Sequence, residues 1–164
     1  MGAARQVSHT LDSEHRSSLA LLGRVEAAFA RLSRKGVARD PDFIQLAAGF
    51  ARLIEQDITR HFEFEERELF PRMAQAGEGD IADLLRDEHD AIRAVAADIL
   101  PLVHAAAAAN LDDAGLAALE RGALEMVERQ VAHIQKETMA LLPLLDDLLD
   151  DDADRELAFA YASN

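Results

Sequence analysis

The sequence contains no cysteine, and this absence narrows the chemistry that the chain can support. Disulfide bonds, thiolate-bound zinc, iron–sulfur clusters and cysteine nucleophiles are all excluded, because each of them requires cysteine sulfur. A metal ion, if the protein binds one, must therefore be held by nitrogen and oxygen ligands.

Basic residues are scarce, and the first residues do not have the pattern expected of a hydrophobic leader. Seventeen Lys and Arg stand against 31 Asp and Glu, which gives a formal net charge of -14. Nucleic acids and anionic membranes attract clustered Lys and Arg, so this balance argues against both as partners. The stretch 1–18 is polar and lacks the apolar core of a leader peptide. We therefore expect a cytoplasmic protein.

The apolar residues indicate an all-α protein of one domain, residues 1–164. They recur at helical spacing in four long stretches, with glycine or proline between the stretches. Short connections favour antiparallel neighbours, which predicts an up-down-up-down four-helix bundle. The predicted helices are helix A over Ser8 to Lys35, helix B from an Asp40 N-cap towards Met73, helix C from an Asp80 N-cap past Pro101, and helix D after Asp112.

An acidic run, Asp146 to Asp154, follows helix D. Such a run is usually a solvated helix end, so we expect its side chains to lie in water. The residues after it, Arg155 to Tyr161, are predicted to form one short additional helix.

Four histidines and two glutamates are predicted to meet in one layer of this bundle. Residues equally far from a shared loop lie at the same height, because each helical residue adds about 1.5 Å of rise. His15 and His61 match in this way across the A–B loop, and so do His89 and His133 across the C–D loop. A glutamate follows one turn after the second histidine of each pair, on the same helix face. The six candidate metal ligands are His15, His61, Glu65, His89, His133 and Glu137.

A repeat supports this constellation. HFEFEERELFP (61–71) and HIQKETMALLP (133–143) share His, Glu, Leu, an apolar residue and Pro in register, and Glu14-His15 on helix A corresponds to Glu88-His89 on helix C. The chain therefore reads as two related helical hairpins, each offering two imidazoles and one carboxylate. Together they suit a pair of iron ions with an oxo or hydroxo bridge from solvent. Without metal, burying these groups would cost several kcal/mol per charge.

These motifs resemble the hemerythrin-like, HHE cation-binding proteins over nearly the whole chain. The clearest match is H-x-x-x-E-x-x-x-L-F-P, present as His61, Glu65, Leu69, Phe70 and Pro71, which is similar to the family's second-helix motif. The resemblance implies a non-haem di-iron centre that reacts with dioxygen, nitric oxide or peroxide. It also implies terminal ligation by His15, His61, His89 and His133, and bridging by Glu65 and Glu137.

One position departs from the family's oxygen carriers. Those proteins resemble this chain but place a fifth histidine one turn after the third-helix ligand, where Arg93 follows His89 here. Each iron would then be five-coordinate and keep an open position, which favours reactive chemistry over reversible carriage. The set of candidate ligands, without a fifth histidine, is more similar to those of the iron-centre-repair, nitric-oxide-responsive and peroxide-decomposing branches of the family. Glu66, Asp57 or a water remain candidates to fill the gap.

Three functions stay open at this level. The first is a di-iron protein that processes dioxygen, peroxide or nitric oxide, the second is an oxygen carrier or an iron or oxygen sensor, and the third is a metal-free helical interaction module. His9 and His104 are predicted to lie at the surface. Glu14, Glu88 and Asp12 either orient ligand imidazoles or form a solvated helix face. No catalytic residue, electron donor or oligomeric state is predicted.

Overall fold

A computed structural model of the chain describes residues 4–31 and 36–163, and this part is helical without any strand. No helix within it combines the length and apolar character needed to cross a bilayer. The predicted end of helix A at Lys35 falls outside the described residues. The α-helices are α1 (Gln6–Arg31), α2 (Pro41–Arg52), α3 (Thr59–Phe64), α4 (Phe70–Gln75), α5 (Gly79–Ala107), α6 (Asp113–Lys136), α7 (Leu142–Leu148) and α8 (Asp151–Ala162).

Three π-helical turns join some of these helices into longer runs: π1 (Leu53–Ile58), π2 (Glu65–Leu69) and π3 (Glu137–Leu141). Predicted helix B is thus the continuous run from α2 to α4, and helix D is α6, π3 and α7. The long helices pack as a bundle in which α1 contacts α2 and α6, while α5 contacts α2, α4 and α6. The all-α prediction is confirmed.

The bundle core consists of two apolar clusters with a polar layer between them. On α1, Leu11 belongs to one cluster and Leu22 to the other, and His15 lies between them in the chain. On α5, Leu85 and Ile92 flank the buried His89 in the same way. The two clusters therefore exclude water from both sides of the histidine layer, which raises the cost of leaving its polar groups unpaired.

Two of the π turns begin at a candidate metal ligand and end two residues before a proline. π2 begins at Glu65 and precedes Pro71, and π3 begins at Glu137 and precedes Pro143. A proline has no N–H and its ring crowds the carbonyl four residues earlier, so an ordinary α-turn is disfavoured there. The wider π turn relieves this crowding. Such turns recur at functional sites, where they redirect side chains.

The predicted N-caps are right in two cases and wrong in one. Asp40 accepts a hydrogen bond from the Asp42 N–H at 2.8 Å, and Asp112 accepts one from the Gly115 N–H at 2.6 Å, as N-caps do. Helix α5, however, begins at Gly79, so Asp80 lies inside the first turn and is not the cap. Glu78 stands at the cap position instead, directly after Gly77, which adopts a left-handed φ of 89°. Asp80 still favours the helix start electrostatically.

The expectation that the acidic run is solvated is wrong for two of its members. Asp154 is buried and accepts hydrogen bonds from the N–H groups of Gln6 and Val7, at 2.9 and 3.0 Å. Asp146 accepts from the Ser8 hydroxyl at 2.8 Å. These carboxylates satisfy amides at the start of α1 that no helical partner can reach. The predicted additional helix is confirmed as α8, which begins earlier than expected because Asp150 caps it.

Loss of the Asp154 carboxylate should destabilise the fold. We expect Asp154→Ala to lower the free energy of unfolding by about 1 to 2 kcal/mol, because buried amides of α1 lose their acceptor. For a domain of this size, that loss lowers the melting temperature by roughly 5 °C. Thermal unfolding followed by circular dichroism measures the shift. Asp147→Ala, which changes an exposed carboxylate of the same run, is the control. Equal melting temperatures for both variants would contradict the capping role.

Candidate metal centre

The structure brings all six predicted ligands into one buried layer. Each of the four histidines and two glutamates is less than a tenth exposed, and His89, Glu65 and Glu137 are fully buried. They come from four helical runs: α1 supplies His15, α5 supplies His89, and the other two runs each supply a histidine with the glutamate one turn later. The structure thus brings together the residues that the height and helix-face arguments predicted to meet, and their role as metal ligands stays a prediction.

Each carboxylate reaches imidazoles of both hairpins. Glu65 lies with Oε1 2.7 Å from His61 Nε2 and with Oε2 3.2 Å from His89 Nε2. Glu137 has its Oε2 2.7 Å from His15 Nε2, and its Oε1 contacts His133 Nε2. Two oxygens of one carboxylate that face different histidine pairs have the disposition of a bridging ligand.

The donor atoms fall into two overlapping groups. The first comprises His15 and His61 with both glutamates, and the second comprises His89 and His133 with both glutamates. Within each group, the donor atoms lie within 4.8 Å of one another, so one cation could contact all four. Because Glu65 and Glu137 belong to both groups, two cations placed there would share them. We call these groups the first half-site and the second half-site.

The buried polar atoms of this layer are suited to hold a cation. Both carboxylate oxygens of Glu65 and Oε1 of Glu137 are buried without a hydrogen bond from the described residues, although imidazole nitrogens lie 2.7 and 3.2 Å from the two Glu65 oxygens. His89 Nε2 and His133 Nε2 also lie only 3.1 Å apart. A buried carboxylate without a partner costs several kcal/mol, which a cation between the donors would offset. The residues therefore fit metal ions well.

The outward nitrogen of three histidines is held by a glutamate. Nδ1 of His61 donates to Glu14 at 2.9 Å, and Nδ1 of His133 donates to Glu88 at 2.8 Å. Such a bond fixes the ring and its tautomer, so that Nε2 points to the centre with a free lone pair. Of the two roles left open for Glu14 and Glu88, these contacts agree with orientation of the imidazoles. Asp12, for which the same two roles were open, pairs instead with Arg16 one turn further along α1.

Two further orienting residues were not predicted. Nδ1 of His89 donates to Glu66 at 2.8 Å, and Nδ1 of His15 lies 3.3 Å from the hydroxyl of Thr138. Each of these partners directly follows a candidate bridging glutamate in the chain, which is the signal that could have revealed them. The hairpin repeat thus extends to the groups behind the ligands, with one difference: a carboxylate stands behind His89 and a hydroxyl behind His15.

Arg93 does not point to the centre. Its guanidinium binds both oxygens of Glu66, at 2.8 and 3.2 Å, and lies 5.5 Å from the centre of the Phe62 ring. That ring stacks on His89 with 3.7 Å between ring centres. Glu66 was one candidate to fill the position of the absent fifth histidine, but its contacts with Arg93 and His89 hold it behind the ligand layer instead. Burial opposes ionisation of Glu66, yet these two hydrogen-bond donors keep its pKa below the ordinary value.

A cavity of about 250 Å³ adjoins the first half-site. His15, His61 and Glu137 form part of its wall, and Ser18 and Asp57 form another part. Asp57, the other protein candidate for the open position, belongs to neither donor group. Burial and the neighbouring charge of Glu14 raise the pKa of Asp57. The cavity gives a small polar molecule room beside the donor atoms.

Without metal, protons balance the charge of the layer. Burial disfavours the protonated form of His89, but the adjoining Glu137 and Glu65 carboxylates outweigh it and raise the pKa to about 9. The same competition raises the pKa of His61 well above its usual range. Burial likewise disfavours ionised Glu137, yet hydrogen bonds from His133 and the other histidines hold its pKa well below normal. At pH 7 a proton on His89 thus offsets part of the carboxylate charge of the layer.

Metal binding should consequently release protons. A cation needs neutral Nε2 atoms, whereas at pH 7 a histidine with a pKa of about 9 carries a proton that must leave. We expect the apparent affinity for ferrous iron to rise with pH from neutrality through the pKa of His89 at about 9. Anaerobic calorimetric titration in buffers of different ionisation enthalpy measures the protons released. Binding without proton release at pH 7 would contradict these charge states.

Comparison with known families agrees with this geometry. A family model described as Hemerythrin HHE cation binding domain matches residues 6–145, which include all six candidate ligands and exclude α8. No curated protein matches the chain.

Proposed function

Since the chain belongs to the hemerythrin HHE cation-binding family, we propose that it is a non-haem di-iron protein that reacts with dioxygen, peroxide or nitric oxide. The observation that carries the proposal is the sharing of Glu65 and Glu137 between two buried donor groups. His15 and His61 would bind one iron, His89 and His133 the other, and the two glutamates both. Mixed imidazole and carboxylate donors are typical of non-haem iron sites.

The chain supplies four donor atoms for each ion, which leaves room for a small molecule. Two ferrous ions, when bound, would provide one electron each and Lewis acidity towards an oxygen or nitrogen atom. The protein's part is to hold the donors rigid, to exclude bulk water with two apolar clusters, and to leave the cavity open beside the first half-site. At position 93, where carriers of the family have a histidine, Arg93 is engaged with Glu66.

Anaerobic reconstitution tests the proposal. We expect about two ferrous ions per chain after excess metal is removed, since the two donor groups are alike. Exposure to dioxygen or peroxide should then oxidise the iron irreversibly, because neither half-site has an additional histidine that would close the open position on its iron. Absorption spectra recorded separately for dioxygen, peroxide and nitric oxide identify the reactive partner, with metal-free protein as the control.

Other outcomes distinguish the alternatives. If the protein binds and releases unchanged dioxygen over many cycles, it is an oxygen carrier and the proposed irreversible reaction is wrong. Failure to retain any iron or other divalent cation would leave a helical interaction module and overturn the proposed function.

A further inference from the structure

We propose that Tyr161, on α8 beyond the family match, is a positioning residue of the metal centre that holds Glu14 against His61 and thereby stabilises the cation of the first half-site. This inference rests on the proposed binding of two cations. It makes α8 part of the centre, although no residue of α8 is a candidate ligand.

A chain of two hydrogen bonds connects Tyr161 to the layer. The phenol donates to Oε2 of Glu14, and the same oxygen accepts from His61 Nδ1 at 2.9 Å. Tyr161 is buried, whereas the Glu14 side chain is about a third exposed. Without the phenol, the Glu14 carboxylate could turn towards water, and the His61 ring would lose the acceptor that fixes its direction.

The surroundings of Tyr161 hold its ring in one place. The ring packs against Phe64, with 4.6 Å between ring centres, and the Arg60 guanidinium lies 4.4 Å from its centre. The same guanidinium donates to the Tyr161 carbonyl. At the other end of α8, Asp154 binds the amides at the start of α1, the helix that carries Glu14. Helix α8 is therefore held in place near both of its ends, by Asp154 at the start and by Tyr161 at the end.

Tyr161 binds Glu14 in the position where a basic side chain binds each of the two other orienting glutamates. Glu66 is bound by Arg93, and Glu88 is bound by Lys136. A phenol fixes the Glu14 carboxylate but does not neutralise it, so Glu14 remains a strong acceptor for the proton on His61 Nδ1. The two half-sites thus have different supports, and only the first depends on α8.

Release of ferrous iron to a chelator tests this asymmetry. Tyr161→Phe removes the hydroxyl and keeps the ring that packs on Phe64. We expect one of the two ions to leave about 10-fold faster under anaerobic conditions, as is typical when a group behind a ligand is removed. The other ion should leave at the rate seen in the unmodified protein. A general loosening of the fold would accelerate both ions and would contradict a role through Glu14.

A double variant tests whether the effect of Tyr161 on iron release passes through Glu14. Glu14→Ala should accelerate the same ion, and Tyr161→Phe added to it should have no further effect, because both changes remove one connection. Phe159→Leu, at an exposed position of the same helix, is the matched control and should change neither rate.

A spectroscopic readout is independent of iron chemistry. In zinc-loaded protein, the Nδ1 proton of His61 should give a protected NMR signal that shifts and exchanges faster in Tyr161→Phe. If the unmodified protein loads two ions, and Tyr161→Phe gives the same release rates and the same NMR signal, the inference is wrong while the proposed function stands. Unmodified protein that loads no cation would overturn the proposed function as well.

Discussion

Glu65→Gln is expected to reduce the iron retained after anaerobic reconstitution from about two ions per chain to well below one. Glutamine has nearly the same shape, so the apolar packing around position 65 is kept. Its amide has one oxygen instead of two and no charge, and therefore it cannot bridge the two half-sites. Because Glu65 belongs to both donor groups, the change should weaken both ions together. Glu137→Gln is expected to act in the same way.

His104→Ala is the matched control for this prediction. His104 is exposed and pairs with Glu55 at 2.7 Å, far from the donor groups. Iron determination on gel-filtered protein, together with circular dichroism to confirm folding, gives the result. Iron retention by folded Glu65→Gln equal to that of His104→Ala would exclude the bridging assignment.

Metal removal is expected to lower the melting temperature by about 10 °C or more. A ligand present at about 1,000 times its dissociation constant stabilises a folded protein by about 4 kcal/mol. A domain of this length changes its melting temperature by roughly 2 to 4 °C per kcal/mol. The effect should be large here, because the metal also supplies partners to the unpaired Glu65 oxygens between the two apolar clusters.

Thermal unfolding of iron-loaded and chelator-treated protein under anaerobic conditions measures this difference. Glu65→Gln serves as the control, because a variant that retains little iron should melt at the same temperature with and without chelator. Identical melting temperatures for the loaded and metal-free forms of the unmodified protein would show that metal binding is not coupled to folding.

The ligand layer could be predicted from the sequence because it depends on regular geometry. Helical rise relates His15 to His61 and His89 to His133 without any knowledge of side-chain contacts. The turn-by-turn spacing then places Glu65 and Glu137 on the same faces as their histidines. The N-caps Asp40 and Asp112 were predictable for a similar reason, since a cap acts on amides only two or three residues away.

Features that depend on distant contacts escaped sequence reasoning. Asp154 looks like any other member of an acidic run, and only the packing of α8 on α1 shows that it is buried. Tyr161 and Thr138 likewise gain their roles from helices far away in the sequence. The Asp80 cap was wrong for a local reason, because the helix already begins at Gly79 and Glu78 stands at the cap position. The π turns require a knowledge of how Pro71 and Pro143 are accommodated, which spacing alone does not give.

The capping of α1 by Asp154 also affects the order in which the contacts of α1 can form during synthesis. The two residues of the α1 start that it binds lie 147 and 148 positions earlier in the chain. Translation delivers the N-terminal end first, so α1 emerges from the ribosome long before its cap exists. His15 must likewise wait for Glu137, 122 residues later. Contacts between such distant residues form late, because the loop must be closed before they contribute. Helix α1 emerges before the other described helices and thus receives this cap only after they have been made.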